Sequence, residues 1–175
     1  MHWLKVTLPG MLALLCGCSA VVPGDYADNQ PQLQPETFFD GTLSAHGVIK
    51  NRSGKVIRYF NASIDASWSG DTGTLEESFL FDDGEQQQRI WTLKRNGDGS
   101  YTGTAGDVIG PAQIEVAGNS MFLNYVLRIP YNDGTLDIRV DDRMYLVSES
   151  VLLNESDLSK FGIDVGSMLL VIEKR

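Results

Sequence analysis

From Phe38 to the C-terminus, apolar and polar residues alternate with a period of two. In the longest run, the even-numbered side chains from Val56 to Trp68 form a mainly apolar face, and the odd-numbered ones are mostly polar apart from Ile57 and Tyr59. This alternation is typical of β-strands with one buried face. Similar runs lie at residues 42–49, 55–68, 75–81, 88–95, 100–105, 112–117, 121–129, 136–146 and 167–174. The pattern predicts an all-β domain of eight or nine strands.

Short turn signals separate the runs. Ser53-Gly54, Asp83-Gly84 and Asp133-Gly134 are combinations that hairpin turns favour. Because short turns join strands that lie side by side, we expect an up-and-down antiparallel β-barrel or a strongly curled sheet. A β-sandwich is the main alternative, since strand number alone does not separate the two.

One short helix is predicted just before the last strand. Asn154 or Ser156 is a suitable N-cap residue. Leu158 and Phe161 would form the apolar side of the turn, and Gly162 would end it. A helix at this place could close one end of a barrel.

The N-terminus has the layout of a secretory signal peptide. Lys5 supplies a positive charge, and residues 8–15 form an apolar stretch too short to span a bilayer. Leu15-Cys16-Gly17-Cys18 is similar to the bacterial lipobox, in which the final cysteine is lipidated. We therefore predict a signal peptide over residues 1–17 and a lipid anchor on Cys18. The alternative is an ordinary cleaved signal with two incidental cysteines.

The segment after Cys18 predicts how the folded domain is attached to the membrane. Residues 18–37 contain three prolines and little apolar periodicity, which indicates a flexible lipidated tether before a single β-barrel domain over residues 38–175. Ser19 stands where aspartate would favour retention in the inner membrane. In a Gram-negative host, this favours the periplasmic face of the outer membrane.

Charge and composition exclude several functions. Loss of Lys5 with the signal would reduce the basic side chains from 14 to 13 against 23 acidic ones, and the formal charge from −9 to −10. That balance argues against nucleic-acid partners and against binding anionic lipid through charge. Lipidation of Cys18 would leave no free thiol, and His46 would be the one remaining histidine. We expect no metal ion and no other cofactor.

Three acidic pairs are candidates for chemistry: Glu76-Glu77, Asp82-Asp83 and Asp141-Asp142. Neighbours on a strand point to opposite faces, so an adjacent pair cannot act as a dyad by itself. For Glu76 we expect solvated surface, and for Asp82-Asp83 we expect turn formation before Gly84.

Asp142 differs because it continues the apolar face of the run at residues 136–146. An inward carboxylate needs a cationic partner or several hydrogen bonds. Arg58 and Arg89 are the candidate cations. Such an Arg–Asp pair would either bridge the core or hold the polar end of a ligand. A β-bulge that turns Asp142 outward is a further alternative.

Several motifs together resemble a family of uncharacterised Gram-negative lipoproteins, domain of unknown function 3833. The similarity runs from about Phe38 to Lys174, with one departure at Arg143, where tryptophan would be expected. The motifs are Leu75-Glu76-Glu77-Ser78-Phe79, Phe81-Asp82-Asp83-Gly84-Glu85, Arg89-Ile90-Trp91, Tyr101-Thr102-Gly103-Thr104-Ala105-Gly106-Asp107-Val108, Gly118-Asn119, Asn124-Tyr125, Asp141-Asp142-Arg143-Met144-Tyr145, Asn154 and Lys160-Phe161-Gly162. The resemblance implies a lipocalin-like fold and a link to membrane-lipid modification. It implies no established activity and no catalytic residues.

The leading hypothesis is a lipid-anchored envelope protein, not an enzyme, whose barrel binds a hydrophobic or lipid-derived ligand. The candidate ligand-binding residues are Arg58, Phe79, Arg89, Trp91, Tyr125, Asp142 and Met144. The alternative is a non-catalytic partner of an envelope protein complex, with a filled core and an exposed surface around residues 82–85 and Asn154. An enzyme that acts on lipids through Asp142 is the least favoured hypothesis.

Overall fold

A computed structural model describes residues 20–175. The predicted signal peptide and the predicted lipidation site, Cys18, lie outside these residues. Within the described part of the chain, no helix is long and apolar enough to cross a bilayer.

The described chain forms a closed antiparallel barrel of ten strands. The strands are β1 (Gly41–Asn51), β2 (Val56–Ser69), β3 (Thr72–Phe81), β4 (Gln86–Arg95), β5 (Tyr101–Thr104), β6 (Ala112–Ala117), β7 (Ser120–Tyr131), β8 (Gly134–Ser148), β9 (Val151–Lys160) and β10 (Ile163–Lys174). Each strand pairs with its neighbours in sequence, and β1 pairs with β10 to close the barrel. The prediction of an up-and-down barrel is therefore confirmed, and the sandwich alternative is wrong.

The nine predicted runs correspond to nine of these strands, but the predicted helix is wrong. Its residues lie in β9, and the turn that follows contains Phe161 and Gly162, both with positive φ. The inward positions of β9 include Asn154 and Ser156, which are polar, so the strand lacks clear alternation. Local sequence therefore did not distinguish this strand from a short helix.

The predicted tether also differs from the structure in its described part. Residues Pro23–Tyr26 form a 3-10 helix, and Pro35–Phe38 form a short α-helix, α1. Leu33 is buried in the core, and its N–H donates to the Gly118 carbonyl at 2.8 Å. This segment therefore packs on the barrel, where a flexible tether was expected.

The segment around α1 covers one end of the barrel. Phe38 and Phe39 are buried there in edge-to-face contact, with ring centroids 5.0 Å apart. The Trp68 indole donates to the Phe39 carbonyl at 2.8 Å, and the Tyr101 hydroxyl donates to the Glu36 carboxylate at 2.7 Å. We call this the capped end; its turns are residues 70–71, 96–100, 118–119 and 149–150.

Gly118 permits this close approach. It has a φ of +53°, and a Cβ at this position would lie 1.8 Å from the Tyr26 carbonyl oxygen. A larger residue would therefore push the N-terminal segment away from the barrel wall.

The opposite end, which we call the open end, has no such cover among the described residues. Its turns are residues 52–55, 82–85, 105–111, 132–133 and 161–162. Inward residues of this half, including Leu127 and Met168, are half-buried, whereas Leu43 and Leu152 near the capped end have no exposed surface. The interior is therefore reached from the open end.

Candidate ligand-binding cavity

A cavity of about 110 Å³ lies inside the barrel. Most of its wall is apolar and comes from both the strands and the cap, including Phe39, Ile64, Leu75, Trp91, Leu123 and Ile172. Five polar side chains interrupt this wall: Glu77, Arg89, Tyr125, Asp142 and Asn154. An apolar pocket with a few convergent polar groups is the usual composition of a small-molecule site.

Asp142 is the most buried carboxylate of the cavity, with 5% of its surface exposed. The Tyr125 hydroxyl donates to its Oδ2 at 3.1 Å, and the Asn154 amide donates to its Oδ1 at 3.2 Å. The Ser156 hydroxyl also donates to Oδ1. Burial raises the pKa of Asp142, while these three hydrogen bonds oppose that shift.

Strand register brings this network together. Asp142 in β8 lies opposite Ser156 in β9, and Met144 lies opposite Asn154 in the same pair of strands. Directly opposite side chains on one face of an antiparallel pair are close enough to interact. Asn154 is therefore an interior residue, with 2% of its surface exposed, and the expectation that it belongs to an exposed interaction surface is wrong.

Arg89 does not pair with Asp142. Its Nε and Nη2 donate to the Asp107 carboxylate at 2.7 to 3.1 Å, and its Nη1 lies 3.9 Å from Glu77 Oε2. Asp107 belongs to the 105–111 turn, so this bidentate pair connects the cavity wall to the open end. Among the described residues Asp142 has no arginine or lysine partner, and its hydrogen bonds replace the expected ion pair.

Glu77 lines the cavity, whereas its neighbour Glu76, for which solvated surface was expected, is exposed. The Glu77 side chain is 14% exposed, and it has no hydrogen-bond partner among the described residues. Burial raises the pKa of Glu77 to about 7; the nearby carboxylates of Asp142 and Asp107 add to this shift, and Arg89 opposes it. The signal was present in the sequence, because Glu77 shares the alternating face of Leu75 and Phe79.

Arg58 is the one predicted ligand-binding residue that lies outside the cavity. Its guanidinium stacks over the Phe81 ring, 3.7 Å from the centroid, and pairs with Asp83 at 2.8 Å and Glu85 at 2.5 Å. It therefore belongs to the rim of the open end. The other six predicted residues all line the cavity: Phe79, Arg89, Trp91, Tyr125, Asp142 and Met144.

The aromatic and acidic groups limit the chemistry of the site. Trp91 and Tyr125 meet edge to face, with ring centroids 5.4 Å apart, between the apolar and polar parts of the wall. Burial raises the pKa of the Tyr125 phenol well above its usual value. The phenol therefore stays protonated and donates a hydrogen bond to Asp142. Within residues 20–175, no group of three or more histidine, cysteine, aspartate or glutamate side chains is arranged to hold a metal ion. The arrangement is suited to holding a small amphipathic group.

Comparisons with known proteins give a family. A family model described as "Protein of unknown function (DUF3833)" matches residues 12–174. No curated protein matches the chain.

Two solved structures are similar in architecture. One, a redesigned β-barrel, mFAP0, bound to DFHBI, is 12% identical, covers 78% of this chain and 99% of its own, and gives a TM-score of 0.43. The other, the S-type phycobiliprotein lyase CPES from Guillardia theta, is 13% identical, covers 78% of this chain and 87% of its own, and gives a TM-score of 0.48.

Proposed function

We propose that this chain, which belongs to the DUF3833 family of proteins of unknown function, binds a small hydrophobic or lipid-derived ligand inside its barrel. The observation that carries the proposal is a largely apolar cavity that still contains Glu77, a carboxyl group without a hydrogen-bond partner among the described residues. Buried polar groups are usually satisfied, so a group left free in a cavity favours a role in binding.

The size of the cavity limits the ligand. Its volume of about 110 Å³ is below the roughly 150 Å³ of an engineered cavity that holds benzene. It is also below the roughly 300 Å³ at which drug-sized sites begin. The cavity therefore suits a small molecule or one end of a longer lipid-derived molecule, with the rest leaving through the open end.

We further propose that Cys18 carries a lipid anchor that holds the protein on the periplasmic face of the outer membrane, in a setting of membrane-lipid modification. The lipobox-like residues 15–18 and the following Ser19 support this. Only residues 19–22 separate Cys18 from the 3-10 helix that begins at Pro23. The five residue steps from Cys18 to Pro23 span at most about 18 Å, so the anchor would hold the barrel wall close to the bilayer.

In this proposal the protein binds and does not catalyse. Asp142, the carboxylate suggested for lipid chemistry, accepts hydrogen bonds from Tyr125, Asn154 and Ser156. A carboxylate held in this way is better suited to orienting Tyr125 than to transferring a proton to a substrate.

Native mass spectrometry of protein purified from its own envelope tests ligand binding. We expect a reproducible co-purified small or lipid-derived molecule that is lost on mild denaturation. Repeated absence of any bound molecule, together with an experimental structure whose interior is filled by side chains, would overturn the proposal. For the anchor, we expect a Cys18→Ala variant to leave the membrane fraction; a variant that still acquires lipid would contradict it.

The open end supports a second candidate function, that of a non-catalytic partner in an envelope protein complex. Phe161, in one of its turns, is 91% exposed. Tyr131 and Ile163, at strand ends beside the turns, are each more than half exposed. Exposed apolar patches are common at protein–protein interfaces. Crosslinking in cells through these turns should capture one stoichiometric partner; capture of bulk envelope proteins alone would count against this candidate.

A further inference from the structure

We propose that the polar end of the ligand is a neutral or cationic hydrogen-bond donor, such as an alcohol or an amine, which Glu77 binds inside the barrel. This inference rests on the proposed ligand-binding function and specifies the chemical class of the ligand. It excludes carboxylates and phosphates from the interior.

The charges that face the cavity disfavour an anionic ligand. Arg89 is the one cationic side chain in its wall, and its guanidinium is already engaged by the Asp107 carboxylate through two nitrogens. The wall also contains the carboxyl groups of Glu77 and Asp142. An anionic ligand would therefore meet a site whose single positive charge is compensated and whose other charged groups have its own sign.

The two wall carboxyl groups differ in what they can still bind. Asp142 already accepts hydrogen bonds from three neighbouring side chains on β7 and β9. Glu77 accepts none among the described residues, and the Arg89 Nη1 is 3.9 Å away, beyond direct hydrogen-bond distance. Glu77 is therefore the group available to a ligand donor.

The position of Glu77 explains why the ligand must be amphipathic. Glu77 lies on the inward face of β3, between Leu75 and Phe79. In the neighbouring strand β4, Arg89 lies opposite Glu77, and Trp91 lies opposite Leu75. The cavity wall is thus apolar on the capped side of Glu77 and continues to the Phe79 ring on the other side. A molecule that fills the apolar part brings its polar end beside Glu77.

The ionisation of Glu77 suits this role. Its pKa is raised to about 7, so near neutral pH the group exists in both protonation states. The carboxylate accepts a hydrogen bond from an ammonium group or a hydroxyl, and the protonated carboxyl retains one accepting oxygen for an alcohol. Both states are compatible with a donor, and the charged state repels an anion.

A matched series of small probes tests the inference: 1-pentanol, pentylamine and pentanoate, which share one chain length and differ in the polar end. Dissociation constants are measured at pH 8 by chemical-shift titration of the full mature chain, followed at the Trp91 indole and Tyr125. We expect pentylamine to bind at least about tenfold more tightly than pentanoate, with 1-pentanol between them, because like-charge contacts disfavour the acid.

Two variants test whether the preference for the amine over the acid comes from Glu77. Glu77→Gln should bring the amine-to-acid ratio to within about threefold, because it removes the wall charge that no neighbour fully compensates. Glu76→Gln is the matched control, since Glu76 is the adjacent residue on the exposed outer face and should leave the ratio unchanged.

Three outcomes separate the possible failures. If none of the probes shifts the cavity resonances, the proposed binding function fails. If pentanoate binds as tightly as pentylamine, or if Glu77→Gln binds normally but leaves the ratio unchanged, the donor specificity alone fails. If Glu77→Gln does not fold, the ratio of the pentanoate and pentylamine dissociation constants for the wild-type protein decides whether the donor specificity holds.

Discussion

The two ends of the barrel bury their inward side chains to different degrees. At the capped end, Phe39 is 2% exposed and the residues around α1 cover the strand ends. At the open end, Arg58 and Arg89 stand on inward faces but form ion pairs with turn residues near the solvent. The same strands thus contribute a packed core at one end and an accessible polar cavity at the other.

This difference separates stability from function along the barrel axis. Apolar burial near the cap stabilises the fold, because it removes whole aromatic and aliphatic side chains from water. The middle of the barrel has costly groups, including the carboxyl of Glu77, which has no hydrogen-bond partner among the described residues, and apolar burial must offset them. Removal of side chains should therefore have large effects at the cap and small or specific effects toward the open end.

The largest expected effect is at the cap. Phe39→Ala should lower the free energy of unfolding by about 3–5 kcal/mol, because it leaves a void beneath α1 and removes the contact with Phe38. Chemical denaturation followed by tryptophan fluorescence measures the change. Phe161→Ala, which changes a 91% exposed phenylalanine, is the matched control and should stay within about 0.5 kcal/mol. Equal effects of the two variants would contradict the difference in packing between the two ends.

The next effect is pH-dependent and comes from Glu77, which faces Arg89, Asp107 and Asp142. Its pKa rises from 4.5 to about 7 on folding, so between these pH values the folded protein binds more protons than the unfolded chain. The contribution of this group to stability therefore falls as the pH rises through this window, by up to about 3 kcal/mol.

Replacement by a neutral residue should remove this dependence. Glu77→Gln should be more stabilising at pH 8 than at pH 5, by up to about 3 kcal/mol in the free energy of unfolding. Urea titrations at the two pH values measure the difference, with Glu76→Gln as the control on the outer face. A constant effect of Glu77→Gln across this range would show that Glu77 is ionised in the folded protein at pH 5.

A smaller effect is expected where the 105–111 turn meets the cavity. Asp107→Asn should cost about 1–2 kcal/mol, because it breaks the bidentate pair with Arg89, which is half-buried. The turn should loosen locally, so the amide of Ile109, which donates to the Val126 carbonyl, should exchange its hydrogen faster. Asp133→Asn in the exposed 132–133 turn provides the comparison. Unchanged exchange at Ile109 would mean that the ion pair does not hold the turn.

The smallest effect on binding is expected at Arg58. Because its guanidinium pairs with Asp83 and Glu85 outside the cavity, Arg58→Gln should change the dissociation constant for pentylamine by less than about twofold. The chemical-shift titration described above measures this. A large loss of affinity would place Arg58 in the binding site, as the sequence pattern first suggested.

Sequence alternation was enough to predict most of the barrel. Each strand buries one face, so apolar and polar residues alternate within its own sequence. The alternation failed for β9, where Asn154 and Ser156 occupy inward positions as hydrogen-bond donors to Asp142 on the neighbouring strand. The partner that makes these polar residues acceptable lies on another strand, so a local pattern cannot reveal it. The missed strand is thus part of the polar wall of the candidate site.

The candidate site was predictable in part for the same reason. Asp142 and Arg89 were recognised as candidates for an interior pair, but Arg89 pairs instead with the Asp107 carboxylate, whose position depends on the fold of the 105–111 turn. Glu77 was not recognised as a site residue, although its place on the face of Leu75 and Phe79 indicated the interior. The cap was missed because Leu33 becomes buried only against a barrel end that is formed by distant residues.

The seam between β1 and β10 has a consequence for biosynthesis. The first strand pairs with the last, and Leu43 lies opposite Lys174, the penultimate residue. The Lys174 ammonium also donates to the carbonyls of Thr37, Phe38 and Asp40 in the cap. Neither the barrel nor its cap can therefore be completed before β10 has been synthesised, and such long-range closure folds slowly. The growing chain therefore keeps an unpaired β1 edge until β10 is available to cover it.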